Sequence, residues 1–289
     1  MERMSPEQLA TLRTSLRQAE DSTPRFVRIP PNLSGRDFVI GDVHGAFDLV
    51  WQAMRAAGFN RAVDRLFGVG DLVDRGAGSG RAGAFLAQPY VYSAMGNHEA
   101  DLCELYRDQD EPEEILELLA LRNFNGMGWL AQTAPAERMA LIQNLATLPL
   151  ALEVPTRRGT VGLVHGEVPI GMDWATFVAR LQDGDEKTID SCLRGRKRIN
   201  GDHQGGVAGI GRIFAGHTPM FGGAARYGNV YAMDTGAVFA ELSGREGAAI
   251  TIADMTFSTG SLVRPGQQGY AQTFTEAVDE PYGNYAPGA

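Results

Sequence analysis

Short apolar runs that stop at a glycine recur in the N-terminal part of the chain. Phe38-Val39-Ile40 ends at Gly41, Leu66-Phe67-Gly68-Val69 ends at Gly70-Asp71, and Tyr90-Val91-Tyr92 leads to Gly96-Asn97-His98. Runs of this length suit buried strands. Phe47–Ala57, between the first two, has helical spacing. Strand, helix and strand at this rhythm predict an α/β sheet. The polar residues fall just after the strands, where open α/β sheets place their ligands.

Other elements follow from the same pattern. Ser5-Pro6-Glu7-Gln8 supplies a capping box with proline in the first turn, and Leu9, Leu12 and Leu16 form a stripe, so a helix packs on the outside of the main domain. A Pro-rich connector follows through Pro24, Pro30 and Pro31. Residues 98–148 read as mostly helical, with apolar faces at Ile115, Leu116, Leu118 and Leu119, then at Met139, Leu141, Ile142 and Leu145. Strands are expected at Thr160–Val164, Ile213–Ala215, Val230–Met233, Ala237–Leu242 and Ala249–Ala253. The polar stretch 182–210 reads as a long surface loop with a short helix. The expected division is a helix and connector over 1–36, one domain over 37–264, and a poorly ordered or surface-draped tail over 265–289, which is rich in Gly, Gln, Pro and Tyr.

Composition narrows the partners. Apolar residues make up 44% of the 289, enough for a sizeable core. The net charge of -9 argues against nucleic acid and anionic membranes, which are bound by clustered Lys and Arg. No run of eighteen apolar residues and no secretory h-region is visible, so a cytoplasmic location is expected. Two cysteines, Cys103 and Cys192, demand no disulfide.

The chemistry lies in the histidines and acids at the strand ends. Of five histidines, His44, His98, His165 and His217 follow or end a predicted strand. Three blocks occur in order: Gly41-Asp42-Val43-His44-Gly45, Gly70-Asp71-Leu72-Val73-Asp74-Arg75-Gly76 and Gly96-Asn97-His98-Glu99. Each interval between them holds one helix and one strand, so neighbouring strand tips would carry the blocks. Two divalent ions held by such residues can neutralise a phosphate ester and supply a nucleophile at neutral pH. Mixed imidazole, carboxylate and amide ligands suit Mn, Fe or Zn. An arginine beside them can grip phosphate oxygens with its planar fork. Plainer readings exist for each residue taken alone: Asp42 and Asp71 as helix N-caps, Asp74 paired with Arg75 across a turn, and each histidine as an ordinary core or surface group.

Together the blocks resemble the phosphoprotein phosphatase family of calcineurin-like metallophosphoesterases, in its bacterial and lambda-phage branch. The family pattern is GDxHG, GDxxDRG, GNHE and then a histidine after each of two later strands, and all five elements stand here in order. Gly216-His217-Thr218-Pro219 and Met233-Asp234-Thr235-Gly236-Ala237-Val238-Phe239 also look like that branch. The resemblance implies a four-layer αββα sandwich with mixed sheets. It implies Asp42 and His44 on a first metal, Asp71 bridging, and Asn97, His165 and His217 on a second. It makes His98 the general acid, Asp74 the carboxylate that orients it, and Arg75 the phosphate grip. Attack by a metal-bridging hydroxide, with no phosphoenzyme, completes that picture.

Two departures stand out. The family's tryptophan before a second phosphate-binding arginine is Arg194 here, within Leu193-Arg194-Gly195-Arg196-Lys197-Arg198. Arg196 is the preferred candidate, with Arg194 and Arg198 open. His165 is followed by Gly166-Glu167 instead of Ala-Gly. The implied activity is hydrolysis of phosphoserine and phosphothreonine in a phosphoprotein, extending to phosphotyrosine and small phosphomonoesters. The implied cofactor is two divalent ions, with Mn favoured and Fe, Zn or Co compatible. A diadenosine polyphosphate hydrolase is the first alternative, but that relative carries GDxQG where this chain has His44. An inactive scaffold is the second, and such relatives lose ligands that are all present here.

Overall fold

The computed structural model describes residues 2–256, 260–263 and 271–274. Helix α1 (Pro6–Ser22) precedes strands β1 (Phe26–Arg28) and β2 (Asp37–Ile40), helix α2 (Phe47–Ala56) and strand β3 (Arg65–Gly68). A 3-10 turn (Ala77–Arg81) runs into helix α3 (Ala82–Leu86) and strand β4 (Val91–Ser93). Helices α4 (Asn97–Asp108), α5 (Pro112–Leu121) and α6 (Pro135–Leu145) follow, with a 3-10 segment (Phe124–Gln132) between the last two. Next come strands β5 (Ala151–Thr156) and β6 (Gly159–Val164) and helices α7 (Trp174–Gln182), α8 (Glu186–Arg194) and α9 (Lys197–Asn200). Strands β7 (Arg212–Ala215), β8 (Ala225–Tyr227) and β9 (Val230–Ala232), helix α10 (Ala237–Ser243), and strands β10 (Ile250–Asp254), β11 (Gly260–Val263) and β12 (Ala271–Phe274) are the last elements of the described residues.

The strands form two mixed sheets, ordered β1-β5-β6-β7-β9-β8 and β12-β11-β10-β2-β3-β4. Strands β2, β3 and β4 are parallel neighbours, as are β6, β7 and β9. Three apolar clusters define the layers. Val39, Phe67, Val69, Val154, Val161, Leu163, Phe214 and Tyr231 interleave between the sheets. Leu12, Leu16, Phe47, Val50, Leu102, Tyr106 and Ile142 pack helices on the outer face of the second sheet. Trp174, Phe177, Leu181, Cys192 and Ile213 do so on the first. This is the four-layer αββα sandwich, each buried Leu, Val or Phe contributing about 1.5–3 kcal/mol.

The capping box at α1 forms as read: the Ser5 hydroxyl accepts from Gln8 N at 3.1 Å, and Ser5 N donates to the Gln8 side chain at 2.8 Å. Two expectations are corrected. Ala237–Leu242 is helical, because Gly236 (φ 79°) turns the chain after β9 and Gly244 (φ 58°) ends the helix in left-handed conformation. Leu242, which alternation in a strand would place beside Ala240, is instead 62% exposed. The 182–210 stretch contains α8 and α9. Asp185 caps α8 by accepting from Thr188 N at 2.9 Å, and the polarity that suggested a loop belongs to the solvent face of a helix burying Thr188, Cys192 and Leu193. Strand β1 lies in the stretch read as connector, and β12 in the stretch read as tail; the remaining tail residues lie outside those described. No helix among the described residues is long and apolar enough to cross a membrane.

The N-terminal segment is tied in by a buried pair. Arg138, fully buried on α6, donates to Glu113 Oε2 at 2.8 Å, Thr133 O at 2.9 Å and Glu2 O at 3.0 Å. Glu113 Oε1 accepts from the Tyr106 hydroxyl at 2.6 Å. Removing the guanidinium strands a buried carboxylate. Arg138→Ala is therefore expected to cost about 3–5 kcal/mol, read as a lower midpoint in urea unfolding; a midpoint equal to wild type would contradict this account of the pair.

Candidate active site

The ligand blocks sit where β2, β3 and β4 of one sheet and β6 and β7 of the other end side by side. Asp42, Asp71 and Asn97 follow the first three strands, and His165 and His217 follow the other two. Five side chains of this region stand on left-handed backbone: His44 (φ 46°), Asp71 (φ 51°), Asp74 (φ 67°), Arg75 (φ 63°) and His217 (φ 70°). Such conformations cost about 1–3 kcal/mol each and persist where surrounding bonds over-determine them. Here Glu99 does much of that work. Its buried carboxylate accepts from Asp71 N (2.9 Å), Leu72 N (2.8 Å), Val73 N (3.2 Å) and Gly96 N (2.8 Å), binding the second and third blocks together. Two glycines make room for the acids: a Cβ on Gly96 would lie 2.2 Å from Asp71 Oδ1, and one on Gly216 would lie 2.1 Å from Asp42 Oδ1.

Asp71 is the hub. Its Oδ2 lies 3.2 Å from His165 Nε2, 3.5 Å from His44 Nε2 and 3.9 Å from His98 Nε2. Its Oδ1 accepts from His98 N at 3.1 Å. Two groups with metal-ligand spacing share it: His44, Asp71 and His98, and Asp71, His165 and His217. Asn97 Oδ1 joins the second at 3.2 Å from His165 Nε2. The carbonyls of Val73 and Val69 can only accept, so Nδ1 of His44 (2.8 Å) and of His165 (2.9 Å) carries the hydrogen. Each Nε2 lone pair is thereby aimed at the hub.

Charge balance shows what the cluster lacks. Burial pushes Asp42 well above the usual carboxylate range, reinforced by Asp234 and Asp71. Its Oδ2 accepts from His217 N at 2.9 Å, but Oδ1 is buried with no protein partner. Burial also raises Asp234, to about 6. Burial likewise works against the Asp71 carboxylate, but His165, His98 and His44 outweigh it and hold Asp71 well below its ordinary value. Burial pushes His44 and His217 down to about 3, so both stay neutral as metal ligands must. An unpartnered carboxylate oxygen, neutral imidazoles and a shared aspartate are the donor set of a divalent-cation pair.

The remaining residues flank this cluster. His98 Nδ1 donates to Asp74 Oδ2 at 2.8 Å, and Asp74 Oδ1 accepts from Trp129 Nε1 at 2.8 Å. Burial disfavours the His98 imidazolium, but the Asp74 bond and Asp71 charge raise its pKa overall. The Arg75 guanidinium reaches His44 Nε2 and, at 3.2 Å, His98 Nε2. Neither acid serves as the side-chain cap of its own following helix, and Asp74 does not pair with Arg75; α2 has no side-chain cap at all. Arg196 is half-buried and donates to Thr218 Oγ1 at 3.4 Å, beside His217. Arg194 pairs with Asp101, and Arg198 is buried, its backbone N–H on Glu167 Oε2 at 2.8 Å and its guanidinium on the Gly205 carbonyl. Of the three, Arg196 stands at the cluster. Sequence reasoning assigned nothing to Glu99, Asp234 or Trp129. The first two lie inside quoted blocks and follow strands; Trp129 lies outside every block.

The pattern of the calcineurin-like phosphoesterases matches residues 38–238, and the chain belongs to that family, whose members use a binuclear divalent metal centre. Over 208 residues it is 30% identical to serine/threonine-protein phosphatase 1 of Salmonella typhimurium, covering 70% of this chain and 87% of that one. It is 24% identical to a symmetrical bis(5'-nucleosyl)-tetraphosphatase of Cellvibrio japonicus, over 78% of this chain and 97% of that one. A solved cold-active protein tyrosine phosphatase variant shares the fold at 12% identity and TM-score 0.50, over 89% of this chain and 84% of that one.

Because Asp71 belongs to both ligand groups, Asp71→Asn should empty both. Elemental analysis after reloading and dialysis is expected to find two divalent ions per chain in the wild type and close to none in the variant. Added Mn should raise the wild-type melting temperature, since an ion at 100 times its Kd stabilises the folded state by about 2.7 kcal/mol. Full retention of ions by Asp71→Asn would remove Asp71 from the hub.

Proposed function

We propose that this phosphoesterase is a metal-dependent phosphoprotein phosphatase that hydrolyses phosphoserine and phosphothreonine, with phosphotyrosine and small phosphomonoesters as further substrates. One observation carries the reading: the His98–Asp74 pair and Arg75 converge on the Asp71 cluster, so an acid and a phosphate grip share one centre. In this reading Asp42, His44 and Asp71 hold one ion, and Asp71, Asn97, His165 and His217 the other. Mn is the preferred ion, and the donors also suit Fe, Zn or Co. When bound, the ions supply Lewis-acid charge against the phosphate and a nucleophilic water at neutral pH.

The chain's own groups do the rest. The Arg75 fork binds two phosphoryl oxygens and turns the ester bond towards His98. Arg196, from the opposite sheet's helices, adds a second cation on the His217 side. His98 protonates the leaving oxygen from Nε2, while Asp74 holds Nδ1–H and favours the imidazolium before transfer. An alkoxide of serine or threonine leaves poorly, so this proton matters most for those esters. The Salmonella relative's name and the presence of His44 in the first block support a protein substrate. The Cellvibrio relative, matched over nearly its whole length, favours dinucleoside polyphosphate as the second reading.

Turnover of a phosphoserine peptide and of diadenosine tetraphosphate separates the two. We expect the peptide to be preferred, chelation to abolish activity and Mn to restore it. His98→Ala should keep its ions and lose roughly 100-fold or more on the peptide, with a smaller loss on nitrophenyl phosphate. Preference for the dinucleotide would overturn the substrate assignment, and an unimpaired His98→Ala would overturn the general-acid role.

A further inference from the structure

Asp74 has two carboxylate oxygens, and His98 uses only one. Oδ2 accepts from His98 Nδ1 and Oδ1 from the Trp129 indole, both at 2.8 Å. Trp129 lies in the 3-10 segment between α5 and α6, and its ring is buried with Leu130, Leu141 and Ile142. The same segment touches the next residue of the block. Gly126 (φ 72°) sits so close to Arg75 that a Cβ would lie 2.1 Å from Arg75 Cα. Asp74 and Arg75 are consecutive left-handed residues, a conformation neither favours alone. One segment therefore contacts the carboxylate of the first and the backbone of the second.

We propose that Trp129 is a positioning residue for His98, and that segment Phe124–Gln132 sets the acid and the Arg75 grip together. The inference rests on the phosphoesterase reading of His98 and adds a residue to it. A carboxylate bonded through one oxygen can swing about its terminal torsion, and the imidazole swings with it. A second donor anchored in the core removes that freedom. The indole N–H is neutral and only donates. It fixes the carboxylate plane without bringing a positive charge that would compete with the His98 imidazolium. A lysine or arginine at this place would hold Asp74 equally well and weaken the proton donor.

The test compares Mn-loaded wild type, Trp129→Phe, Asp74→Asn and the double variant on nitrophenyl phosphate, which has a good leaving group, and on a phosphoserine peptide, which has a poor one. Trp129→Phe is expected to lower kcat on the peptide roughly 10-fold, with KM and metal content unchanged and nitrophenyl phosphate turnover little affected. In the Asp74→Asn background the same substitution should add almost nothing, because the two act in series. Trp129→His, which keeps a ring N–H, should recover part of the peptide turnover, and serves in place of Trp129→Phe if the latter does not fold. Equal losses on both substrates, or an undiminished loss in the Asp74→Asn background, would show that the indole acts through packing and overturn the proposal. Wild-type behaviour of Trp129→Phe beside an impaired His98→Ala would overturn it while sparing the phosphoesterase reading. A wild type inert on both esters would remove that reading and the proposal with it.

Discussion

Five carboxylic acids, Asp42, Asp71, Asp74, Asp234 and Glu99, are buried together where the two sheets end. Two like charges about 4 Å apart repel by about 4 kcal/mol at an effective dielectric of 20, so each acid must be answered by donors or cations. The structure answers them in different ways. Glu99 takes four backbone N–H groups, Asp74 an imidazole and an indole, and Asp234 the Gly236 amide. Asp71 is surrounded by histidines. Asp42 is left with one backbone donor and one bare oxygen. The shortfall falls on Asp42, which also faces the charges of Asp234 and Asp71, so the place for added positive charge is defined by what the protein does not satisfy.

That requirement explains the local backbone. A carboxylate reaches the hub only if the chain turns sharply off each strand, and the left-handed residues provide the turns. Their strain is offset by the Glu99 network and by close contacts that glycines, Gly96, Gly126 and Gly216 among them, allow. The parallel order of β2, β3 and β4 brings three blocks to adjacent tips. The first sheet delivers His165 and His217 from β6 and β7. The cluster thus draws ligands from both sheets, above the Val39, Phe67 and Phe214 core that packs them together.

Most of this was legible because the chemistry and the fold share residues. Gly-Asp after a short apolar run marks both the strand end and the acid, so the three blocks could be placed on neighbouring tips without coordinates. Arg196 could not be separated from Arg194 and Arg198 by pattern; burial of Arg198 and the Arg194–Asp101 pair do that only in three dimensions. Helix α10 was misread because Ala237–Leu242 is short and apolar, and its type depends on the glycines at its ends. Trp129 was invisible for a different reason. It stands 55 residues from Asp74 in a segment without motif character, and its hydrogen bond depends on how α5 and α6 close over the block.

The two thiols have a practical consequence. Cys103 and Cys192 are free and buried, and burial pushes both up to about 12. Almost no thiolate is therefore present at neutral pH. Alkylating reagents, which need a thiolate, find little to react with at these two positions. In the proposed reading a thiol reagent and a chelator should therefore part company: the first meets protonated, buried sulfurs, and the second takes the ions.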